Sequence, residues 1–187
     1  MAEGLNDGAT ELLNATQLDA TLRRLAFQIL EHHPARKLAF VGIRKRGVPI
    51  AARMISILKE YRADIAQGEV DITFHRDDLH NIEAMLDVGR SSIDIPDLDE
   101  RCVILFDDVL FTGRTIRAAI GEVLDFGRPA KIELAVIVDR GHRELPIQPD
   151  YVGVVHTTQP GEYIRVSLKE EDGQDAVYLH QRKAQQA

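Results

Sequence analysis

The stretch VILFDDVLFTGRT, residues 103–115, decides how this chain is read. Val103, Ile104, Leu105 and Phe106 form a short unbroken apolar run, the pattern of a strand buried on both faces of a parallel sheet. Asp107 and Asp108 then stand at its carboxyl end, where open α/β sheets bind their ligands. Thr112, Gly113, Arg114 and Thr115 lead into an amphipathic segment with Ile116, Ile120, Val123 and Leu124 on one face. A turn that opens a helix aims its free N–H groups and hydroxyls at an anion. Two carboxylates able to take ribose hydroxyls, beside a turn able to take a phosphate, suit a phosphorylated sugar.

Each half is ambiguous alone. Paired aspartates after a strand also occur in metal-dependent phosphatases and receiver domains, and a Thr-Gly-Arg-Thr turn is also an ordinary helix cap. In this order and spacing the two resemble the phosphoribosyl pyrophosphate (PRPP) signature of type I phosphoribosyltransferases: four apolar residues, two acids, three variable residues, then Thr-Gly-any-Thr. All thirteen positions comply.

The rest of the chain is compatible with that reading. Its 187 residues suit one domain with a sizeable core, and 44% hydrophobic with 28% charged residues is ordinary for a globular protein. No apolar run approaches the roughly 20 residues that span a bilayer, and the polar start MAEGLNDGAT does not resemble a signal peptide, so a cytoplasmic protein without membrane contact is expected. The one cysteine, Cys102, enters a buried strand and reads as core packing. A net charge of −7 argues against coating nucleic acid through overall charge, while leaving room for a local basic face.

Helical and strand patterns alternate. A helix starting at Thr16 and Asp19 and ending near His33 and Pro34 buries Leu18, Leu22, Leu25, Ala26, Ile29 and Leu30; strands follow at residues 38–43 and 68–74, with a helix carrying Ile50, Ala51, Met54, Ile55 and Leu58 between them. After the helix that opens at Thr112, closed by Gly127 and Pro129, come strands at residues 131–138, 151–155, 162–168 and 176–180, the last two separated by an acidic turn, EEDG. The alternation predicts an α/β fold: a parallel-sheet core with flanking helices. The expected organisation is a single domain over residues 12–180, with a flexible lid at about 75–101, a small β hood at about 139–165, and polar tails at 1–11 and 181–187. Residues 1–14 lack periodicity and are expected to be partly mobile.

Further site residues follow from the topology. The loop IRKRG, residues 43–47, follows a buried strand and should share the sheet edge with Asp107. Arg44, Lys45 and Arg46 would place positive charge where a pyrophosphate leaving group needs it, and Gly47 permits close backbone approach. Arg76 opens the lid and could reach the pyrophosphate on closure. Asp139 and Arg140 end a core strand and should face the site, whereas His142, Arg143 and Glu144 read as surface residues. No zinc-type His/Cys spacing, GxSxG elbow or GxxxxGK[ST] loop occurs.

Beyond the signature, the segments at 41–47, 68–79 (GEVDITFHRDDL) and 126–153, which contains LAVIVDRGHRELP, are similar to those of the PyrR family of pyrimidine-operon regulators with uracil phosphoribosyltransferase activity. The resemblance covers about residues 12–172 and implies conversion of uracil and PRPP to UMP and pyrophosphate with Mg²⁺. Carried onto this chain, Asp107 and Asp108 would hold the ribose hydroxyls and act with Arg76 as catalytic residues. Val109, Leu110, Phe111, Thr112, Gly113, Arg114 and Thr115 would line the substrate site, the last four taking the 5′-phosphate. Lys45, Arg46 and Gly47 would line the pyrophosphate site, and Arg140 with the segment after Tyr151 would cover uracil. No direct metal ligand is implied.

The resemblance also implies binding of leader mRNA, controlled by UMP or UTP; Arg23, Arg24, His142 and Arg143 are the candidate RNA contacts, and because one acidic subunit offers too small a basic surface, a homodimer or higher homo-oligomer is expected. The chain departs from the family at residues 153–163, GVVHTTQPGEY, where Gly-Lys-Asn and then Pro-Thr-Ser are common, and at Phe27, where a polar residue is common. Two alternatives stay open: an RNA-binding nucleotide sensor with vestigial catalysis, or a type I phosphoribosyltransferase for another base.

Overall fold

In a computed structural model, which describes residues 8–72 and 91–182, five strands form one parallel sheet. They are β2 (Leu38–Ile43), β3 (Ala66–Val70), β4 (Cys102–Leu110), β5 (Lys131–Asp139) and β6 (Tyr151–Val155), in the order β3-β2-β4-β5-β6. Alternate residues of each buried strand serve opposite faces. Phe40, Ile104, Phe106 and Ile137 pack under helices α1 (Ala15–His32) and α2 (Gly47–Leu58). Val41, Val103, Leu105 and Val136 pack under α3 (Arg114–Phe126). Doubly covered strands must be apolar throughout, which is why these segments read as continuous hydrophobic runs.

A second, three-stranded antiparallel sheet joins the two ends of the chain: β1 (Thr10–Leu13), β8 (Ala176–Gln181) and β7 (Glu162–Ser167), with the short helix α4 (Lys169–Asp172) between β7 and β8. Val166 and Val177 of this sheet join the same core as α1 and α2. Thr10 and Glu11 thus lie in a strand rather than a tail, as does Gln181, and residues 10–13 are not a loose end. The hood is likewise built differently from the expected contiguous 139–165 segment, because β6 belongs to the main sheet.

Other boundaries shift for local reasons. The cap of α1 is Asn14, not Thr16: its side chain accepts from Gln17 N at 3.0 Å while Gln17 Oε1 accepts from Asn14 N at 2.9 Å, a reciprocal capping box. Leu124 points outward, 49% exposed, leaving Ile116, Ala118, Ala119 and Val123 as the buried residues of α3. Of the expected lid, residues 75–90 lie outside the described residues, as do positions 73 and 74 of the strand predicted at 68–74. Residues 91–101 are not lid-like: Ile93, Ile95 and Leu98 are buried, and Ser92 exchanges backbone hydrogen bonds with Glu69. Among the described residues no helix is long and apolar enough to cross a membrane.

The amino-terminal edge of the main sheet is held by a buried polar cluster. Glu133 of β5, 4% exposed, accepts from Tyr151 Oη at 2.8 Å and lies 2.8 Å from His33 Nε2, while Lys131 reaches its other oxygen. The cluster ties the end of α1 to β5 and β6. Cys102 lies beside it, fully buried, its thiol pushed up to about 11 by burial and by the charge of Glu133. It is therefore a neutral core thiol. Burial pushes the Glu133 carboxyl up, but hydrogen bonds from Lys131, His33 and Tyr151 outweigh it and leave it below its ordinary value of 4.5. A depressed carboxyl stabilises the fold above that value and loses its contribution as pH falls through the folded value. Glu133→Gln should lower unfolding free energy at neutral pH by about 1–3 kcal/mol. In urea denaturation, the gap between wild type and variant should narrow as the pH is taken below 4.5.

Candidate active site

Parallel pairing of β2 with β4, with Gly42 opposite Phe106, makes the loop after Ile43 and the carboxylates after Phe106 emerge side by side. The strand order also reverses here, since β2 leads outward to β3 and β4 leads the other way to β5 and β6. A crevice therefore opens at this edge. Gly47 seats the loop against β4: a Cβ at that position would stand 2.1 Å from the Phe106 carbonyl oxygen, so no larger residue fits without moving backbone. Arg44 and Lys45 are exposed on this loop, and Arg46 is half-buried. Arg44 donates to Glu69 at 2.6 Å, and Arg46 to both oxygens of Asp172 at 3.0 and 3.2 Å.

β4 continues through both aspartates to Leu110, pairing Asp107 with Val136 and Leu110 with Asp139, so the acids are strand residues rather than residues beyond a strand ending at Phe106. Asp107 is 8% exposed and accepts from Asp108 N at 3.0 Å; Asp108 accepts from Val109 N at 2.8 Å. Burial pushes the Asp108 carboxyl above the ordinary range, against the opposing charge of Arg46 and the Val109 hydrogen bond. A carboxylate so desolvated gains from any hydroxyl or cation delivered to it.

Beyond Phe111 the chain turns through Gly113, at φ 91°, into α3, whose amino terminus has no side-chain cap. Thr112 Oγ1 accepts from Arg114 N at 3.3 Å, and the Thr112 carbonyl accepts from Glu144 N and Leu145 N, anchoring the turn to the 140–147 loop. Thr115 is half-buried in the first turn, and exposed Arg114 donates to Glu144 at 2.8 Å. An uncapped helix start beside two carboxylates can hold the phosphate of a sugar whose hydroxyls those carboxylates take.

A further wall comes from Arg140, whose guanidinium lies 4.0 Å above the centre of the Phe111 ring and donates to Thr158 Oγ1 and the Glu162 carbonyl. With His142, Gln159 and Arg182 these residues line a cavity of about 360 Å³. Thr158 was not singled out in sequence, because residues 153–163 read only as a departure from a family pattern; it is 2% exposed and orients Arg140.

The four candidate RNA contacts are not brought together as free charges. Arg23 pairs with Asp19 on the surface of α1, whereas Arg24 donates to the Val152 and Gly153 carbonyls in the middle of β6. His142 Nε2 lies 2.8 Å from the Thr158 carbonyl. Arg143 is not a solvated surface residue as expected from sequence: it donates to Asp139, to the Phe111 and Gly141 carbonyls and to the Ile147 carbonyl, and so braces the loops that follow β4 and β5. Arg76 lies outside the described residues.

The phosphoribosyl transferase domain model matches residues 8–171. A bifunctional protein PyrR from Elusimicrobium minutum is 48% identical over 87% of this chain and 92% of its own length. One from Thermus thermophilus is 43% identical over 92% and 96%. Among solved structures, the hypoxanthine phosphoribosyltransferase of Trypanosoma cruzi superposes with a TM-score of 0.68 at 12% identity, covering 93% of this chain and 97% of that one. A hypoxanthine-guanine phosphoribosyltransferase from Bacillus anthracis gives 0.64 at 18%, covering 90% and 95%. At such identities the structures speak for the fold.

Because Arg143 holds Asp139, Phe111 and Ile147 together, Arg143→Ala should lower unfolding free energy by about 1–3 kcal/mol and speed protease cleavage within residues 140–150. Denaturation with urea and timed proteolysis check both. Wild-type behaviour in each would mean that the brace does not hold these loops.

Proposed function

From its membership of the phosphoribosyl transferase domain family, and within that of the bifunctional PyrR proteins, we propose that this chain transfers the phosphoribosyl group of PRPP to uracil, giving UMP and pyrophosphate. The observation that carries the reading is the meeting of Asp107 and Asp108, the uncapped start of α3 and the basic 43–47 loop at one crevice. The 5′-phosphate sits on the turn Thr112–Thr115, the ribose hydroxyls face Asp107 and Asp108, and the pyrophosphate lies along Lys45, Arg46 and Gly47. Uracil occupies the cavity walled by Phe111 and Arg140, where a flat ring meets an aromatic face and a guanidinium.

In the reaction the bond from C1′ to pyrophosphate breaks as the bond to uracil N1 forms, and the N1 proton passes to the departing pyrophosphate or to water. The transition state resembles an oxocarbenium ion, so the nearby carboxylates stabilise developing positive charge and no covalent nucleophile is needed. Asp107 and Asp108 form a hard oxygen donor set that fits Mg²⁺ held jointly with substrate oxygens, as this ion prefers. An ion held there would offset charge on the leaving pyrophosphate. His33, Cys102 and Glu133 lie at the opposite edge of the sheet, with softer donors and with both Glu133 oxygens already hydrogen-bonded. Arg76 is assigned to the pyrophosphate as a closing residue.

Regulation belongs to the same reading. Leader mRNA binds a homodimer or higher homo-oligomer in the cytoplasm when UMP or UTP fills the site. Arg23 and His142 are the better contacts of the four, since Arg24 and Arg143 spend their donors on backbone carbonyls and Asp139.

Asp107→Asn and Asp108→Asn should each lower turnover of uracil by roughly tenfold to a thousandfold, about 1.4–4 kcal/mol, at unchanged melting temperature. Pyrophosphate release is measured with uracil, hypoxanthine, guanine and orotate offered in parallel; a purine or orotate preferred over uracil would reassign the base. For regulation, filter binding at fixed salt should give tighter binding of a pyrimidine-operon leader with UMP than without, and tighter than of a scrambled RNA. Arg23→Ala should weaken the leader complex by about 1 kcal/mol. Equal, nucleotide-independent binding of both RNAs would leave an enzyme alone.

A further inference from the structure

The acidic turn after β7, which no step above uses, is largely exposed, but its Asp172 reaches back to the pyrophosphate loop. Asp172 in this turn is three ways engaged. Its Oδ1 accepts from Arg46 at 3.0 Å and from Arg165 at 2.8 Å, and its Oδ2 from Leu168 N at 3.1 Å. Its side chain is only 10% exposed. Arg46 therefore stands between two acids: Asp172, which fixes its terminal nitrogen, and Asp108, whose carboxyl its charge stabilises in ionised form. The Nε of Arg46 is buried and has no acceptor among the described residues, so one donor of a held guanidinium stays unspent. Nearby acids of the same turn, Glu170 and Asp175, instead grip Arg53 of α2. The turn thus makes two separable attachments, one to the loop that precedes α2 and one to the helix itself.

We propose that Asp172 is a positioning residue for phosphoribosyl transfer: it holds Arg46 at the mouth of the site so that the pyrophosphate of PRPP meets a cation already in place. An arginine on a surface loop loses considerable rotamer freedom when it binds a ligand, and a partner that imposes the orientation beforehand reduces that loss. Asp172 acts from α4, between two strands of the antiparallel sheet and distant in sequence from every motif of the site. The proposal rests on the assignment of Arg46 to pyrophosphate.

Binding of PRPP with Mg²⁺ is measured calorimetrically, alongside steady-state kinetics, for wild type, Asp172→Asn, Asp172→Glu and Asp175→Asn. Asp172→Asn should weaken PRPP binding and raise its KM by about tenfold while kcat changes less than about twofold. Asp172→Glu should recover part of that loss. Asp175→Asn loosens Arg53 but leaves Arg46 held, so its PRPP affinity should match wild type even if its melting temperature drops. In an Arg46→Gln background, Asp172→Asn should have no further effect. An unchanged or lowered KM in Asp172→Asn would overturn the proposal, as would an equal loss in Asp175→Asn, which would trace the effect to docking of the whole turn. Wild-type protein that fails to bind PRPP would instead overturn the assignment of function.

Discussion

The close seating of Gly47 on the carbonyl of Phe106 is the constraint on which the site depends. A Cβ at position 47 would fall 2.1 Å from that oxygen, and one at Gly42 would fall 2.4 Å from the Val48 Cα. Two missing side chains let α2 and the loop before it lie directly on the strands, at the residue that precedes Asp107. Were the loop lifted even slightly, its cations would no longer stand beside the acids at the end of β4. Backbone contact thus sets the spacing between opposite charges, which side chains alone could not hold.

That spacing decides an electrostatic contest. Burial of Asp108 favours its neutral form, while Arg46 and the Val109 N–H favour the carboxylate, and burial is the larger effect. The start of α3 has no side-chain cap, so its N–H groups favour an anion. Such a helix start can take a phosphate, and a desolvated carboxyl gains from a hydroxyl or cation brought to it. At this edge Arg44 and Arg46 are paired with Glu69 and Asp172, while the Nε of Arg46 has no acceptor among the described residues.

The other edge of the sheet is arranged the opposite way. His33, Glu133, Tyr151 and Lys131 satisfy one another beside a neutral, buried Cys102. The cluster joins the amino-terminal ends of β5 and β6, whereas the paired aspartates lie toward the carboxyl end of β4. Parallel strands make this division possible, since all their carboxyl ends share one edge.

The sequence by itself determined the parallel core and the placing of the motif along β4 and the start of α3. Strands at 38–43 and 103–106 announce themselves as apolar runs because both faces are covered, and Asp107, Asp108 and Thr112–Thr115 lie close together in one motif whose geometry is local. Other features depend on tertiary contact and leave no local trace. β1 and β8 pair across nearly the whole chain, so residues 10–13 look like a featureless tail until their partner is known. Arg143 looks like any surface arginine, because its acceptors are mostly backbone carbonyls, which every sequence supplies. Asp172 meets Arg46 across 126 positions. Periodicity and motif spacing report what neighbours along the chain do together, whereas a hydrogen bond between distant residues exists only once the sheet has brought them within 3 Å.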